Sequence, residues 1–269
     1  MNHLVATVFA VLIAQPVFAT DVIDNPLTDT GSWNDLREDL IGDVTPADGV
    51  ALFAVDAPYR AHDAATVPIV IRQTDLTAAP ITSAMVVIDE NPAPMAADLT
   101  FGPAMSPLQF ELRVRVNQYS NVRVIATSDG GAFMNGRYVK ASGGCSAPAT
   151  KDPALALNAM GQMRLKHFGD TPQMSTPRRE AQIMIRHPNY SGLQRDQVTQ
   201  LFISAHFIDK LEVFQGDETL FTLEGGISAS EDPVFRFDYT DNGAPAFKVR
   251  AQDTEGNVFE QTLPKNAES

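Results

Sequence analysis

Cys145 is the only cysteine of the chain, and two glycines, Gly143 and Gly144, directly precede it. In an oxidising compartment a lone cysteine has no partner in its own chain, so it is either an idle buried thiol or a thiol kept available for chemistry with another molecule. The glycines allow many backbone conformations, which suits a reactive group offered on a mobile arm. Lys140 and Lys151 are close in sequence, and a nearby cation favours the thiolate, the form that acts as nucleophile. The pattern predicts an accessible, functional thiol at Cys145.

Other residues that could do chemistry form weaker patterns. His187 and His206 are candidates for a shared metal site, but no HxH, HxxxH or carboxylate cluster surrounds them in the sequence, so we predict no metal site and no cofactor. Ser142 and Ser146 flank Cys145 without a Gly-x-Ser-x-Gly setting or a triad partner. A thiol redox enzyme is expected to have a Cys-x-x-Cys pair or a resolving cysteine. We therefore predict a protein that is not an enzyme.

Length and charge limit the possible partners. The chain has 269 residues and a formal net charge of -13. This length is enough for two domains with real cores. The negative charge argues against nucleic acid as a partner, and it permits electrostatic steering toward basic proteins.

The first 19 residues have the pattern of a signal peptide. An apolar run from Leu4 to Ala14 is followed by Val17, Phe18 and Ala19, a small-x-Ala pattern that suits signal peptidase. We predict export to the periplasm with cleavage after Ala19. The run is too short to cross a bilayer, and no later stretch is long and apolar enough to do so, so we predict no membrane span.

The elements that must position the cysteine are mainly strands. Residues Leu108 to Val116 alternate apolar and polar side chains, as in a half-buried strand. Before them, Trp33, Leu36, Leu40 and Ile41 fall on one face of a short helix. Further strands are predicted at Thr66–Arg72, Ser83–Ile88, Asn121–Thr127, Phe133–Lys140, Ala181–Arg186, Phe207–Phe214, Thr219–Leu223, Val234–Tyr239, Phe247–Ala251 and Val258–Leu263.

A linker separates the two sets of strands. Asp152 and Pro153 form a reasonable helix start, and Leu157, Gly161 and Leu165 share a face, so a helix is predicted over Ala154–Phe168. The fold class is therefore all-β, with two immunoglobulin-like β-sandwiches, a short N-terminal helix and a helical linker. The predicted boundaries are a signal peptide at 1–19, a sandwich at 20–149 that ends in the cysteine loop, a linker at 150–179 and a second sandwich at 180–265.

The order of several segments resembles the SoxY and SoxZ sulfur-compound carrier subunits fused into one chain. The segments similar to SoxY are Ile88–Pro94, the strand around Arg113 and Arg115, Ala126–Gly130 and Val139–Cys145. The segments similar to SoxZ are Ile185–Gly192 and Ile203–Ile208. The chain also resembles a fused, exported subgroup of SoxYZ-like carriers that are associated with quinoprotein dehydrogenases.

The resemblance implies a periplasmic carrier whose Cys145 holds a small sulfur compound, with thiosulfate chemistry as the context. Partner enzymes of sulfur oxidation, or quinoprotein dehydrogenase and cytochrome proteins, would then process the adduct. Gly143 and Gly144 would give the cysteine arm its flexibility. In SoxY the cysteine lies on a free carboxy-terminal Gly-Gly-Cys-Gly-Gly arm, whereas here Ser146 follows and the loop is tethered at both ends. The two halves are expected to pack on each other, since the linker gives them a high effective concentration.

Two alternative functions are also consistent with the sequence. One is a noncatalytic docking or maturation partner of a periplasmic quinoprotein (PQQ) dehydrogenase, in which the sandwiches supply surface and Cys145 is incidental. The other is a thiol-dependent redox enzyme, which the single cysteine disfavours.

Overall fold

The computed structural model describes residues 24–148, 157–168 and 177–265 of the chain. We call residues 24–148 the first half and residues 157–265 the second half. The predicted signal peptide at 1–19 lies outside the described residues, as does the predicted helix up to residue 156. Among the described residues, no helix has the length and apolar character that crossing a membrane requires.

The described residues form two β-sheets and little helix, which confirms the predicted all-β, immunoglobulin-like two-domain fold. The elements of the first half are α1 (Ser32–Ile41), β1 (Ala47–Asp48), β2 (Phe53–Asp56), β3 (Val67–Gln73), β4 (Ser83–Ile88), β5 (Met95–Phe101), a 3-10 turn (Pro103–Met105), β6 (Gln109–Val114), β7 (Ser120–Ser128) and β8 (Gly131–Val139). The elements of the second half are β9 (Met163–Phe168), β10 (Arg178–Ile185), β11 (Ile208–Gln215), β12 (Glu218–Gly225), β13 (Val234–Thr240), β14 (Ala246–Asp253) and β15 (Val258–Pro264).

Alternation of side chains explains why these segments are strands. In β3, Val67, Ile69 and Ile71 are fully buried, whereas Pro68 and Arg72, on the opposite face, are exposed. Successive side chains of a strand point to opposite faces, so one face enters the core and the other meets solvent. The same pattern in β13 buries Phe235, Phe237 and Tyr239.

Both sheets run through both halves of the molecule. The nine-stranded sheet has the order β1-β8-β7-β4-β5-β12-β11-β14-β15, and the six-stranded sheet has the order β2-β3-β6-β13-β10-β9. The halves meet at two antiparallel pairs, β5 with β12 and β6 with β13. Each half is therefore a sandwich of its own strands, and the two sandwiches are joined edge to edge in both layers. This confirms the expected packing of the halves on each other.

One apolar core lies under both junctions. Phe110 of β6 contacts Phe221 of β12, with ring centroids 5.0 Å apart, and lies 6.4 Å from Phe237 of β13. These rings are fully buried and belong to one contiguous cluster that draws on strands of both halves. Since burial of apolar area is the main stabilising contribution to folding, the halves stabilise each other through this cluster.

The linker differs from the sequence prediction. Only Leu157 and Asn158 of the described residues are helical there, and Met163–Phe168 is the edge strand β9, paired with β10. The predicted helix is therefore wrong over these residues. Gly161 has a φ of +81°, which ends the helical path, and a Cβ at Gly161 would lie 2.1 Å from the Phe259 ring. The predicted linker thus contributes a strand to the six-stranded sheet.

Helix α1 packs on the outside of the nine-stranded sheet. None of its residues is fully buried, and its main anchor is the Trp33 ring, whose centroid lies 4.8 Å from the guanidinium carbon of Arg123. Arg123 in turn forms a buried ion pair with Asp89, with 2.8 Å between Nε and the nearer carboxylate oxygen. The helix therefore docks by a cation-π contact on an arginine that the sheet already holds in place.

Candidate functional site

Cys145 lies in a tight turn that follows strand β8. The amide of Ser146 donates to the carbonyl of Gly143 (3.2 Å), which closes the turn with Gly144 and Cys145 at its two central positions. On the side of the first half, the amide of Gly144 donates to the carbonyl of Val116 (3.0 Å). We call residues 143–146 the cysteine turn.

The two glycines allow the turn to lie close to the first half. Gly143 has a φ of +78°, a conformation that other residues adopt only with strain. A Cβ on Gly144 would lie 2.1 Å from the carbonyl oxygen of Ala64 and 2.6 Å from that of Val116. The glycines therefore serve close packing in this conformation, which differs from the flexible arm that the sequence predicts. Their role in flexibility stays a prediction.

The thiol is buried and protonated in this conformation. Cys145 has no exposed surface, which contradicts the accessible thiol that the sequence predicts. Burial raises the pKa of the Cys145 thiol to about 11, although the positive charge of Arg115 opposes the rise. At pH 7 only about one molecule in ten thousand would carry the thiolate in this state. A conformational change is therefore needed before the sulfur can act as a nucleophile.

The cation that acts on the sulfur is Arg115, and the lysines near in sequence do not take this role. Lys140 lies with its Nζ 4.6 Å from the centroid of the Tyr59 ring, and Lys151 is outside the described residues. Arg115 is 1% exposed, and burial lowers its pKa. Its guanidinium nitrogens donate to three main-chain carbonyls, those of Gly144 (3.3 Å), Asn189 (3.4 Å) and Ala229 (3.2 Å).

A segment of the second half covers the cysteine turn. We call residues 187–206 the strap. The Ser191 hydroxyl donates to the carbonyl of Cys145 (2.5 Å), and the Gln194 amide donates to the carbonyl of Ala147 (3.1 Å). Gln194 also accepts a hydrogen bond from the amide of Ser191 (3.1 Å), so the two side chains are held together. Ser191 and Gln194 are both buried, and they connect the second half to the cysteine of the first half.

A buried polar network fixes the base of the strap. The amides of Tyr190 and His206 each donate to the carbonyl of the other, at 2.8 and 2.9 Å. His206 Nε2 lies 2.7 Å from Asp253 Oδ2, and His187 Nε2 lies 3.4 Å from the same oxygen. Burial alone would raise the pKa of Asp253, but hydrogen bonds from Asn257, His206 and His187 lower it to about 2. The carboxylate is therefore ionised at neutral pH and anchors both ends of the strap.

His187, His206 and Asp253 are close enough to hold a metal ion, since one ligand atom of each lies within 4.8 Å of the others. The hydrogen-bond directions oppose this use. The amide of Asn189 donates to Nδ1 of His187 (3.0 Å), so the ring proton of His187 is on Nε2, the nitrogen that faces Asp253. A metal at Nε2 needs the lone pair there and the proton on Nδ1. Burial and His206 also lower the pKa of His187, which favours its neutral form. The three residues therefore form a hydrogen-bonded anchor.

An open cleft of about 430 Å³ lies beside the cysteine turn. Its walls include Arg115, Ala147 and Pro148 from the surroundings of the cysteine. The carboxylates of Asp63 and Glu231 also line it. The cleft brings solvent close to the cysteine turn while the sulfur itself stays covered.

Sequence reasoning found the cysteine and missed the residues that bury it. Alternation along β6 puts Arg115 on the same, solvent-facing side as Glu111 and Arg113, which predicts an exposed side chain. It is buried because the second half covers the strand end, where the amide of Arg115 donates to the carbonyl of Ser228 (2.7 Å). Ser191 and Gln194 lie in an irregular segment without a periodic pattern. The sequence features that indicated this region were the SoxZ-like segments 185–192 and 203–208 and the pair His187 and His206, none of which identifies Ser191 or Gln194 as a contact of the cysteine turn.

Comparisons with known proteins agree with the arrangement of the two halves. The family model described as "Sulfur oxidation protein SoxY" matches residues 37–145, and the one described as "Sulphur oxidation protein SoxZ" matches residues 172–264. A similar solved structure is the sulfur carrier protein SoxY from Chlorobium limicola f thiosulfatophilum, at 23% identity, with a TM-score of 0.35. The match covers 41% of this chain and 92% of that chain. No curated protein matches the chain.

The two family matches divide the chain in the order that the sequence resemblance predicts. The first ends on Cys145, and the second covers the strap and its anchor. The association with quinoprotein dehydrogenases stays a prediction. With both domains in one polypeptide, the chain belongs to the Sox sulfur-oxidation carrier proteins as a fusion of a SoxY domain and a SoxZ domain.

Proposed function

We propose that the chain is a periplasmic carrier that holds a sulfur compound covalently on Cys145 while partner enzymes of sulfur oxidation process it. The observation that carries the proposal is the position of the single cysteine, since the SoxY match ends on Cys145 directly after Gly143 and Gly144. The signal-peptide pattern of residues 1–19 supports export. The chain itself performs no turnover in this proposal, and the partner enzyme supplies the catalysis.

Loading forms one S–S bond at the Sγ of Cys145. With thiosulfate as the donor, the Cys145 thiolate attacks the outer sulfur, the S–S bond of thiosulfate breaks, and sulfite leaves with the electron pair. The product is a persulfide on Cys145, and the proton of the original thiol goes to solvent. This exchange consumes no external oxidant, because the electrons of the broken S–S bond leave with the sulfite.

The environment of Cys145 suits a carrier that reacts only with a partner present. The closed thiol is buried, and its pKa of about 11 keeps it protonated at neutral pH. Arg115 provides a fixed positive charge that favours the thiolate or an anionic adduct once the sulfur is uncovered. A protected thiol of this kind would resist oxidation in the periplasm between reactions.

Intact-mass analysis tests the proposal. The protein is purified from the periplasm of its native host with and without reductant, beside the Cys145→Ala and Cys145→Ser variants. We expect the wild type to carry a mass increment that reductant removes, and we expect neither variant to carry it. The mass would identify the group, since one added sulfur atom indicates a persulfide. The same samples are then incubated with thiosulfate to follow loading directly.

Two results would contradict the carrier function. An increment that persists in Cys145→Ala would place the adduct elsewhere on the chain. A wild-type thiol that is free in native preparations, and that stays free with thiosulfate and partner extract, would show that Cys145 carries nothing. A urea-unfolded wild-type sample serves as the control for donor quality, because its cysteine is fully accessible.

A further inference from the structure

The contacts of the cysteine turn divide into two layers. Toward the first half, the amides of Gly143 and Gly144 donate to main-chain carbonyls at 2.8 and 3.0 Å, and Gly144 is wedged against Ala64 and Val116. Toward the second half, the turn and the residue after it are held by two side chains, Ser191 and Gln194. The inner layer is therefore a main-chain seat, and the outer layer is a pair of side-chain hydrogen bonds.

The outer layer belongs to the strap, whose base at residues 187–191 and 206 is buried and whose distal part, residues 195–205, is mostly exposed. Past Gln194 the strap reaches a tip in which Val198 is 90%, Leu201 69% and Phe202 61% exposed. The tip is closed mainly on itself, for example by the amide of Thr199, which donates to the carboxylate of Asp196 (2.7 Å). Segments with few buried contacts open at a lower free energy than the sheets around them. Because its distal part has few such contacts, we expect the strap to separate from the cysteine turn more easily than the strands that seat the turn.

We propose that the strap is a gate over Cys145, which must lift from the cysteine turn before the sulfur can react, and that Ser191 and Gln194 set how often it lifts. Access to the thiol of the SoxY domain is then controlled by a segment of the SoxZ domain. The proposal deepens the carrier function and rests on it for its biological meaning. The gate itself is a property of the folded chain and is measurable without any sulfur compound.

Alkylation of the full-length protein by iodoacetamide measures the gate. When opening is rapid and rare, the alkylation rate is proportional to the open fraction. Ser191→Ala removes one hydrogen bond to the closed state, so we expect about 2- to 12-fold faster alkylation, the factor that one net hydrogen bond represents. Gln194→Ala should act in the same direction, and the double variant should be faster than either single variant.

A variant of the same segment serves as the matched control. Thr199→Ala removes a hydroxyl that bonds only within the tip, to Asp196 (2.9 Å), and it does not contact the cysteine turn. We expect its alkylation rate to equal that of the wild type. Cys145→Ser gives the background of the assay, and the urea-unfolded wild type gives the rate of a fully open thiol. A native wild-type rate equal to the unfolded rate would show that no gate exists.

Hydrogen exchange of the wild type identifies the layer that moves and does not depend on any variant. If the strap lifts and the cysteine turn stays in place, the amide of Gly144, which is bonded to Val116, should exchange far more slowly than the open fraction from alkylation predicts. If the cysteine turn instead swings out and the strap stays in place, the amide of Gly144 should exchange at the rate that this open fraction predicts. That second pattern, or unchanged alkylation in the Ser191 and Gln194 double variant, would overturn the gate.

The two proposals fail in different ways. If the protein alkylates through a gated opening but never gains a sulfur adduct, the gate is supported and the carrier function is contradicted. If the protein gains the adduct and its native thiol is as reactive as that of the unfolded chain, the carrier function is supported and the gate is contradicted.

Discussion

Phe110 of the first half lies edge-on to Phe221 of the second half, with ring centroids 5.0 Å apart and an interplanar angle of 80°. Both rings are fully buried. The contact joins the two family domains below the point where β6 and β13 pair as antiparallel strands. Because neither half can unfold without exposing aromatic surface of the other, the fusion is expected to be one cooperative unit.

Phe110→Ala should therefore destabilise both halves together. Truncation of a buried phenylalanine typically lowers the free energy of unfolding by about 3–5 kcal/mol. We expect one urea transition, shifted to lower concentration, in which fluorescence of Trp33 and far-UV circular dichroism coincide. Leu76→Ala, at a side chain that is 70% exposed, serves as the control and should leave the midpoint nearly unchanged. Two separated transitions in the wild type would contradict a shared core.

The pH dependence of alkylation should report the burial of the thiol. Since the folded pKa of Cys145 is raised to about 11, the closed protein keeps its proton well above the range in which a free thiol titrates. The alkylation rate of the native protein should therefore keep rising up to about pH 11, whereas that of the unfolded chain should level off near about pH 8.5. A native profile that levels off with the unfolded one would show that the thiol is exposed.

Arg115→Gln tests whether the positive charge of Arg115 limits the rise in the pKa of the Cys145 thiol. Loss of the positive charge should move the inflection of the alkylation profile to still higher pH, because Arg115 is the group that lowers the thiol pKa. Loss of the hydrogen bonds to Gly144 and Asn189 should raise the alkylation rate at every pH. The electrostatic role of Arg115 therefore appears as a shift of the inflection, and its structural role appears as a change in the rate. Arg113→Gln is the control on the same strand, since that side chain is 43% exposed. An unshifted inflection in Arg115→Gln would remove the electrostatic role.

The glycines before the cysteine should differ in their tolerance of a methyl group. Gly144→Ala places a Cβ against the main-chain oxygens of Ala64 and Val116, which cannot move without disturbing the strands, so we expect a loss of about 2–4 kcal/mol. Gly143→Ala would meet only Ser146 Oγ, at an ordinary contact distance of 3.8 Å, and should cost about 1–2 kcal/mol for its positive φ. Urea unfolding measures both changes.

Gly243→Ala provides the matched reference for the glycine pair. Gly243 also has a positive φ, +81°, and nothing lies within 4 Å of an added Cβ, so its substitution measures the backbone strain alone. Gly143→Ala should match this reference. If Gly144→Ala were no more destabilising than the reference, the cysteine turn could not be seated as closely as the structure places it.

The local pattern of apolar residues predicts most strands of this fold, but it does not predict those that depend on long-range pairing. Strand β4 coincides with its predicted bounds, Ser83–Ile88, because it ends in the β-branched run Val86, Val87 and Ile88, a residue type that favours strands. The short strand β2 and the strand β5 were not predicted, and β9 was predicted as a helix, since Leu157, Gly161 and Leu165 fit a helical face. Pairing of β9 with β10 is a long-range interaction, and it overrides a local helical preference.

The candidate site was predictable only at its centre. A lone cysteine after two glycines identifies Cys145, but Arg115, Ser191 and Gln194 bond to the main chain around it from a strand end and from the other half. Sequence spacing carries no information on such contacts. The same limit explains Asp253, whose contacts with the two histidines span 47 and 66 positions of sequence.

Asp253 should couple acid stability to the gate. Its folded pKa of about 2 is below the ordinary value of an aspartate, so the contribution of the ionised carboxylate is fully present above about pH 4 and is lost as the pH falls toward 2. Asp253→Asn should flatten the pH dependence of the free energy of unfolding, measured with urea, in this window.

Asp253→Asn should also weaken the hold on His206 at the end of the strap and thereby speed iodoacetamide alkylation of Cys145 at neutral pH. Asp129→Asn, at an exposed carboxylate in the turn between β7 and β8, serves as the control, and an Asp253→Asn protein that alkylates at the wild-type rate would separate the anchor from the gate.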